Sequence, residues 1–426
     1  MKPVLSILIA TKNRVPYCIN AIETILKFED SDFELIIQDN TDSLELFEYA
    51  QIKVTEKRFK YNYTPPPFSS IANFNAAIEM ASGEYLCLIG DDDGINPEIF
   101  KLTKWALQNN IDAILPELKA YYAWPDACNI FRNCKSHNGF LRIDNITGNV
   151  KEFDTTKEVH KLLKNGGQGY LNLNLPKLYH GIVKKEILEN VKAVTGFYIG
   201  GLSPDIYTSV ALTAFVKRII KIDYPLTISG ICIVSTSADS RSGKHEGKFE
   251  DIPHLRERGQ YFWSDQVPKF YSVETIWADS AIASLKDLNR LKLLSKFDIE
   301  ALTVLVLKKH KGYSKVILRN YFENKNSSNF ASRICYLVLL FIKYAELVFF
   351  NIIPLVISKL KNKTKTIFRS GSIEKINLVS LNNIMTINQA TDQLQKHLLR
   401  HSLSIDSIIN KLDILLDNRS EKNEKQ

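Results

Sequence analysis

Asp91, Asp92 and Asp93 stand in a row where an apolar run, Tyr85-Leu86-Cys87-Leu88-Ile89, meets a turn built from Gly90, Gly94 and Pro97. Adjacent carboxylates at the end of a buried strand repel one another, and a hard divalent cation with oxygen ligands relieves that repulsion. The plainer alternative is an acidic surface turn. Asp205 follows the turn Gly200-Gly201-Leu202-Ser203-Pro204 at a helix start. A carboxylate there can take a hydroxyl proton or, like Ser203, simply cap the helix. His245 ends the polar loop Ser240-Arg241-Ser242-Gly243-Lys244. It could ligate a metal, hold phosphate with Arg241 and Lys244, or be solvated.

The elements that must position these groups alternate. Val4 to Ala10 is an apolar run bounded by Pro3 and Thr11-Lys12-Asn13-Arg14, which reads as a strand buried on both faces. Ile19, Ile22, Ile25 and Leu26 then recur at helical spacing behind Pro16. A second strand, Phe33 to Ile37, ends at Gln38-Asp39-Asn40. A helical piece near Leu44 to Ala50 and a short strand at Phe59 to Tyr63 precede Pro65-Pro66-Pro67, which forbids regular structure. From Ser69 the pattern is helical up to Gly83, and Glu84 to Ile89 is the strand that delivers the acids. Strand, helix, strand implies a right-handed parallel crossover, with ligands at the sheet's carboxyl edge.

Four stretches in this order carry a resemblance: Leu5-Ser-Ile-Leu-Ile-Ala-Thr-Lys-Asn-Arg14, Leu35-Ile-Ile-Gln-Asp-Asn-Thr-Asp42, Asn73-Phe-Asn-Ala-Ala-Ile-Glu-Met-Ala-Ser-Gly-Glu-Tyr85 and Leu88-Ile-Gly-Asp-Asp-Asp-Gly-Ile-Asn-Pro97. Together they resemble the nucleotide-sugar-binding half of family 2 glycosyltransferases. The likeness covers about the first 110 residues and thins out to about residue 250. It implies an α/β fold of the GT-A type, a Rossmann-like and mainly parallel sheet flanked by helices. It also implies an inverting transfer from a nucleotide diphosphate sugar, a UDP-sugar by expectation. By resemblance the loop Ala10, Thr11, Asn13 and Arg14, together with Asp39 and Asn73, would hold the nucleotide. A Mn or Mg ion on the acids would bridge the diphosphate, and Asp205 would be the acceptor-side base.

The register of the metal site is open. The family's Asp-x-Asp-Asp, anchored on Pro97, puts Gly90 where the first acid is expected. Asp92 is then the main ligand, with Asp91 a ribose or metal contact. Read as Asp91-x-Asp93, the motif favours Asp93.

Further on, Tyr121 to Gly148 reads as an insertion or acceptor-side loop, and Ile228 to Ser235 as a late strand. Residues 251–330 form a helical extension. Ile334 to Ile357 is the most apolar stretch, interrupted by Lys343, Glu346, Asn351 and Pro354, and is followed by Lys359, Lys361, Lys363, Lys365 and Arg369. A helix lying in a membrane interface beside anionic lipid suits this pattern, with a buried packing helix or a true span as alternatives. Ile384, Ile387, Thr391, Leu394, Leu398, His401, Ile405, Ile408, Leu412 and Leu415 alternate spacings of three and four, which is a heptad seam. The expectation over 380–417 is an oligomerising coiled coil, the alternative an amphipathic helix docked on its own domain. The tail, 418–426, reads as disordered.

Of the 426 residues, 45% are hydrophobic and 24% charged, which is ordinary for a folded chain of one large domain plus smaller pieces. The net charge of +8 is concentrated in the late basic run, which points to phosphates or a membrane surface and not to nucleic acid. The six cysteines show no CxxC pair, as expected for reduced thiols in a cytosolic compartment. No secretory signal is read at the N-terminus. The expected assembly is a GT-A domain over 1–250, the extension, a membrane-associating segment over 331–370 and the coiled coil. It would sit on the inner face of the cytoplasmic membrane and act on a glycan or lipid-linked acceptor. The competing readings are a sugar nucleotidyltransferase, although Thr11-Lys12-Asn13-Arg14 lacks the glycines of a phosphate loop, and a non-catalytic scaffold that binds a nucleotide sugar.

Overall fold

The structure is a computed structural model. It describes residues 2–53, 55–130, 138–235, 238, 245–327, 329–368 and 379–424, with side chains left out at 129–130, 350–368 and 419–424. The expectations for Cys134, Arg241, Lys244 and Arg369 lie outside the described residues, as do those for the side chains of Lys359, Lys361, Lys363 and Lys365.

Four strands, β1 (Leu5–Thr11), β2 (Phe33–Asp39), β3 (Phe59–Tyr63) and β4 (Tyr85–Ile89), lie parallel in the order β3-β2-β1-β4. Between them run α1 (Val15–Leu26), α2 (Glu45–Ile52) and α3 (Ser70–Glu79). Apolar side chains fill both faces of β1, β2 and β4, as the continuous runs in the sequence require. The register sets Thr11 beside Asp39 and Asp39 beside Tyr63, so the strand ends form one edge.

Next in the chain come β5 (Gly94–Ile95), α4 (Glu98–Gln108), β6 (Ala113–Pro116), β7 (Ala120–Ala123), β8 (Phe140–Ile143), β9 (Val150–Glu152) and α5 (Thr155–Lys164). They are followed by β10 (Ile182–Lys184), α6 (Lys185–Thr195), α7 (Pro204–Leu212), β11 (Ile219–Ile222) and β12 (Thr227–Ile231). The large sheet continues past β4 with β10, antiparallel, and then β6, β11 and β9. A second sheet has the order β8-β7-β12-β5, so the stretch expected as a loop over Tyr121 to Gly148 instead contributes strands.

The extension carries β13 (Glu246–Gly247), β14 (Tyr271–Ser272), α8 (Val273–Asp287), α9 (Ile299–Lys309), α10 (Ser314–Asn324) and α11 (Phe330–Phe368). α8 packs on α5 and α7 around a core of its own that includes Val159, Ile206, Val210, Ala281 and Leu285. α11 leans on α9 and α10 through Leu340, which meets Val304 and Tyr321, and through Lys343, 2.9 Å from Asp298. Its outer surface also exposes large apolar side chains, with Phe330 79%, Phe341 70% and Phe349 62% accessible, beside the charged Arg333 and Glu346. Among the described residues no helix is long and apolar enough to cross a membrane.

The coiled-coil expectation is corrected. Residues after 378 form β15 (Val379–Asn382), α12 (Ile387–Arg400) and α13 (Ile405–Glu424), two helices broken at His401–Ser404 instead of one seam. β15 extends the second sheet beside β8. Ile384, Ile387, Leu394, Leu398, Ile405, Ile408 and Leu412 are buried in the same core as β1 and α1. Heptad spacing marks an apolar face, and here the chain's own N-terminal region covers it. The contact is close at Gly94, where a Cβ would stand 2.9 Å from Ile387 Cγ1.

Candidate active site

β4 ends at the acids, and each meets a different fate. All three are at most 4% exposed. Asp91 accepts hydrogen bonds from Thr11 Oγ1 at 2.6 Å and Arg14 Nη1 at 2.9 Å. Asp92 Oδ2 accepts from the Cys232 backbone N–H at 3.1 Å, while Oδ1 has no hydrogen bond among the described residues and lies 3.8 Å from Arg14 Nη1. Asp93 accepts from the backbone N–H groups of Gly90 and Gly230, both at 2.6 Å, and from Tyr179 Oη at 2.9 Å. His180 Nε2 lies 3.3 Å from Asp93, and burial holds that imidazole neutral by pushing its pKa down to about 3.

Burial raises the pKa of Asp92, and Asp93 and Asp91 push it further, against Arg14 and the Cys232 thiol. Burial also raises Asp93, against the Gly230 and Gly90 amides and Tyr179. Burial alone would lower Arg14, but Asp91 and Asp92 more than reverse this and hold its pKa above the usual range.

Among the described residues no three His, Cys, Asp or Glu side chains converge as a metal cage. The arrangement fits an attachment of the magnesium kind, with one or two carboxylates completed by water and substrate phosphates. Asp92, with its unbonded Oδ1 and crowded charge, suits that role. Of the other expected ligands, Asp93 accepts from two amides and a phenol, and the His245 ring packs edge-on to Tyr271 at 5.2 Å. Asp91, the third, already balances the Arg14 guanidinium. Gly90 replaces the expected first acid for a spatial reason. A Cβ there would lie 2.8 Å from Tyr179 Oη, 2.9 Å from Asp92 Oδ1 and 3.0 Å from Asp93 Oδ2.

On the nucleotide side, Ala10 and Thr11 end β1 beside Gln38 and Asp39. Asp39 is fully buried, accepts from the Thr41 N–H at 2.8 Å in a local turn, and accepts from Tyr61 Oη at 2.7 Å. Asn13, at φ 59°, ties this loop to the next one through Asp42 and Thr41. Arg14 turns away from this pocket onto the acids. Asn73, 4% exposed, donates to the Thr11 carbonyl at 3.1 Å, and its Oδ1 is a buried acceptor without a partner. A buried acceptor of this kind asks for a hydrogen-bond donor.

Asp205 occupies the first turn of α7, one position after Pro204, and neither caps that helix nor forms an ion pair among the described residues. Burial pushes its pKa up to about 6, Lys177 opposes the shift, and Asp93 adds to it. The carboxylate thus faces both the acid cluster and a lysine.

Sequence reasoning missed Lys177, Tyr179 and His180. Their segment bridges to β4, with the His180 N–H bonded to the Leu88 carbonyl at 2.9 Å. The available signal was a Tyr-His-Gly step beside an apolar run, which does not say which strand lies next to it.

The family model described as glycosyl transferase family 2 matches residues 6–151. Over 96 residues the chain is 33% identical to Escherichia coli WcaA, whose name ties it to colanic acid biosynthesis as a glycosyl transferase, covering 22% of this chain and 34% of that protein. Over 201 residues it is 24% identical to the GalNAc(5)-diNAcBac-PP-undecaprenol beta-1,3-glucosyltransferase of Campylobacter jejuni, covering 46% and 56%. The chain thus spans between a third and somewhat over half of the curated relatives' length. Crystal structures of S. aureus TarS 1-349 and of S. aureus TarS 1-349 in complex with UDP-GlcNAc superpose with TM-scores of 0.41 and 0.42 at 12% identity. Each covers 76% of this chain, and 91% and 93% of theirs.

Proposed function

We propose that this chain, whose residues 6–151 match the family model described as glycosyl transferase family 2, moves a sugar from a UDP-sugar to a hydroxyl of a glycan or lipid-linked acceptor, with inversion. The observation that carries the reading is Asp205, a carboxylate free of hydrogen bonds and ion pairs among the described residues, with its pKa raised to about 6, opposite the acids at the end of β4.

Thr11, Asp39 and Asn73 form the nucleotide pocket, and the orphaned Asn73 Oδ1 is available to a donor on the base or ribose. Asp92 would hold a divalent cation, and Asp91 keeps Arg14 beside it. When bound, the cation neutralises charge on the departing diphosphate. Asp205 accepts the acceptor's hydroxyl proton while the oxygen bonds to the anomeric carbon on the side opposite the leaving diphosphate. One displacement inverts the configuration and forms no covalent enzyme adduct. A base with a pKa near 6 is ionised at neutral pH and still basic enough to assist.

The lipid-side part of the reading is supported by α11. Its described outer surface exposes Ile334, Leu337, Val338, Phe341 and Ile342, and the chain continues into four lysines between 359 and 365. Such a helix lies in the interface of an anionic bilayer, as a peripheral association.

Transfer assays with a panel of nucleotide sugars, with and without Mn, on the native chain and on Asp205→Asn test the catalytic reading. Loss of transfer with retained UDP binding is expected, and full activity in Asp205→Asn would sink it.

A further inference from the structure

The geometry points to Lys177 as an anion-binding point in the pocket of Asp205, one that takes a phosphate or carboxylate carried by the acceptor or by the donor's sugar ring. This rests on the reading of Asp205 as the base that faces the acceptor.

Lys177 differs from the cations around it. Lys119 pairs with Glu117 and Asp223, both at 2.9 Å, and Lys221 pairs with Glu117 at 2.6 Å and donates to Asn174 Oδ1 at 3.0 Å. Glu117 and Asp223 are therefore already engaged. Lys177 Nζ has one hydrogen bond among the described residues, to the Leu171 carbonyl at 3.2 Å, and sits over the Tyr170 ring at 5.0 Å. No carboxylate comes within ion-pair distance of it among the described residues, Asp205 included. An ammonium has three protons to give, so two are left for something else.

Its surroundings fit an anion that is brought in. Burial and then the like charge of Lys221 bring the pKa of Lys177 down to about 8, against Asp205 and Glu117. A cation in that position gains from a negative ligand more than an exposed lysine would. Tyr170 is 3% exposed and fixes the floor, while Leu171 is 61% exposed at the rim. Lys221, the next cation along, lines a cavity of about 240 Å3 with Lys151 and Asn149, and there Glu117 and Asp223 already balance the charge, which leaves Lys177 as the cation in this neighbourhood without an ion pair among the described residues.

Calorimetry on the full chain with Mn tests this in two arms. The donor arm compares UDP-glucuronate with UDP-glucose, which differ by a carboxylate. The acceptor arm, at saturating UDP, compares farnesyl phosphate with farnesol. In at least one arm the native chain should prefer the charged probe by about tenfold or more, the scale of one charge-assisted hydrogen bond. That arm names the source of the anion. Lys177→Met should lose the preference, Lys177→Arg should keep it, and both should bind UDP as the native chain does, which guards against misfolding. No preference in either arm, or a preference that survives in Lys177→Met, overturns the assignment. The readout is binding alone, so an active Asp205→Asn would remove the base and leave this result standing.

Discussion

Asp93 is buried and Asp205 partly so, the two repel each other, and desolvation raises the pKa of both. Asp93 accepts three hydrogen bonds, two from backbone amides on different elements, whereas the Asp205 carboxylate accepts none among the described residues. The first is a strut that joins β4, β12 and the Tyr179 segment. The second is held in place by its helix alone and keeps its lone pairs. Within one cleft, hydrogen-bond saturation separates a carboxylate that builds the site from one that can act in it.

Substitution can break that comparison, and the largest effect should come from Asp205→Asn. Loss of a general base predicts a fall in kcat of about a hundred- to ten-thousand-fold with UDP affinity unchanged. A fall in thermal stability instead would make Asp205 the strut. Asp92→Asn should weaken Mn-dependent UDP binding by about tenfold to a hundredfold or more, as loss of a ligand does, with the unfolding midpoint little changed. If Asp93→Asn produced that metal phenotype instead, the register would move by one residue. Asp93→Asn should cost about 1–3 kcal/mol of stability in denaturant titrations, because the Gly90 and Gly230 amides lose a charged acceptor. For pH, Asp205 must be ionised to act, so kcat/KM should rise with pH through about 6 and level off above it. A limb centred near the ordinary aspartate value would mean that the pocket is wetter than its burial implies. The smallest effect is expected at the periphery. Phe341→Ser with Ile342→Ser should reduce flotation with anionic vesicles and leave UDP binding intact, and undiminished flotation would detach α11 from the membrane reading.

The alternation from β1 to β4 was legible because both-face burial writes unbroken apolar runs, and the turn residues after them place the chemistry at one edge. Asp205 was legible as a carboxylate at a helix start, but its lack of partners was not, since that depends on what fails to approach it. Lys177 and Tyr179 were hidden for the converse reason. Their importance comes from a strand order, β4 beside β10, that brings together residues some 90 positions apart, such as Tyr179 and Asp93 at |i−j|=86. The heptad-like spacing from Ile384 to Leu415 was read correctly as an apolar face and wrongly as a meeting between chains. Periodicity describes the face and is silent on what covers it, and Ser402 at φ 53° sits in the bend that divides the two helices.

That covering has a bearing on biogenesis. Chains emerge from the ribosome N-terminus first, and a domain settles when its core can close. Here Ile387, Leu394 and Leu412 close the core around β1 and α1, and Ile387 presses on the glycine next to Asp93. The acids of β4 and the loop after β1 are translated early, yet the surface behind them stays open to water until the segment from Ile387 to Leu412 arrives. A chain stopped before α12 would carry the acids of β4 and Asp205 and lack the wall that closes the core behind them.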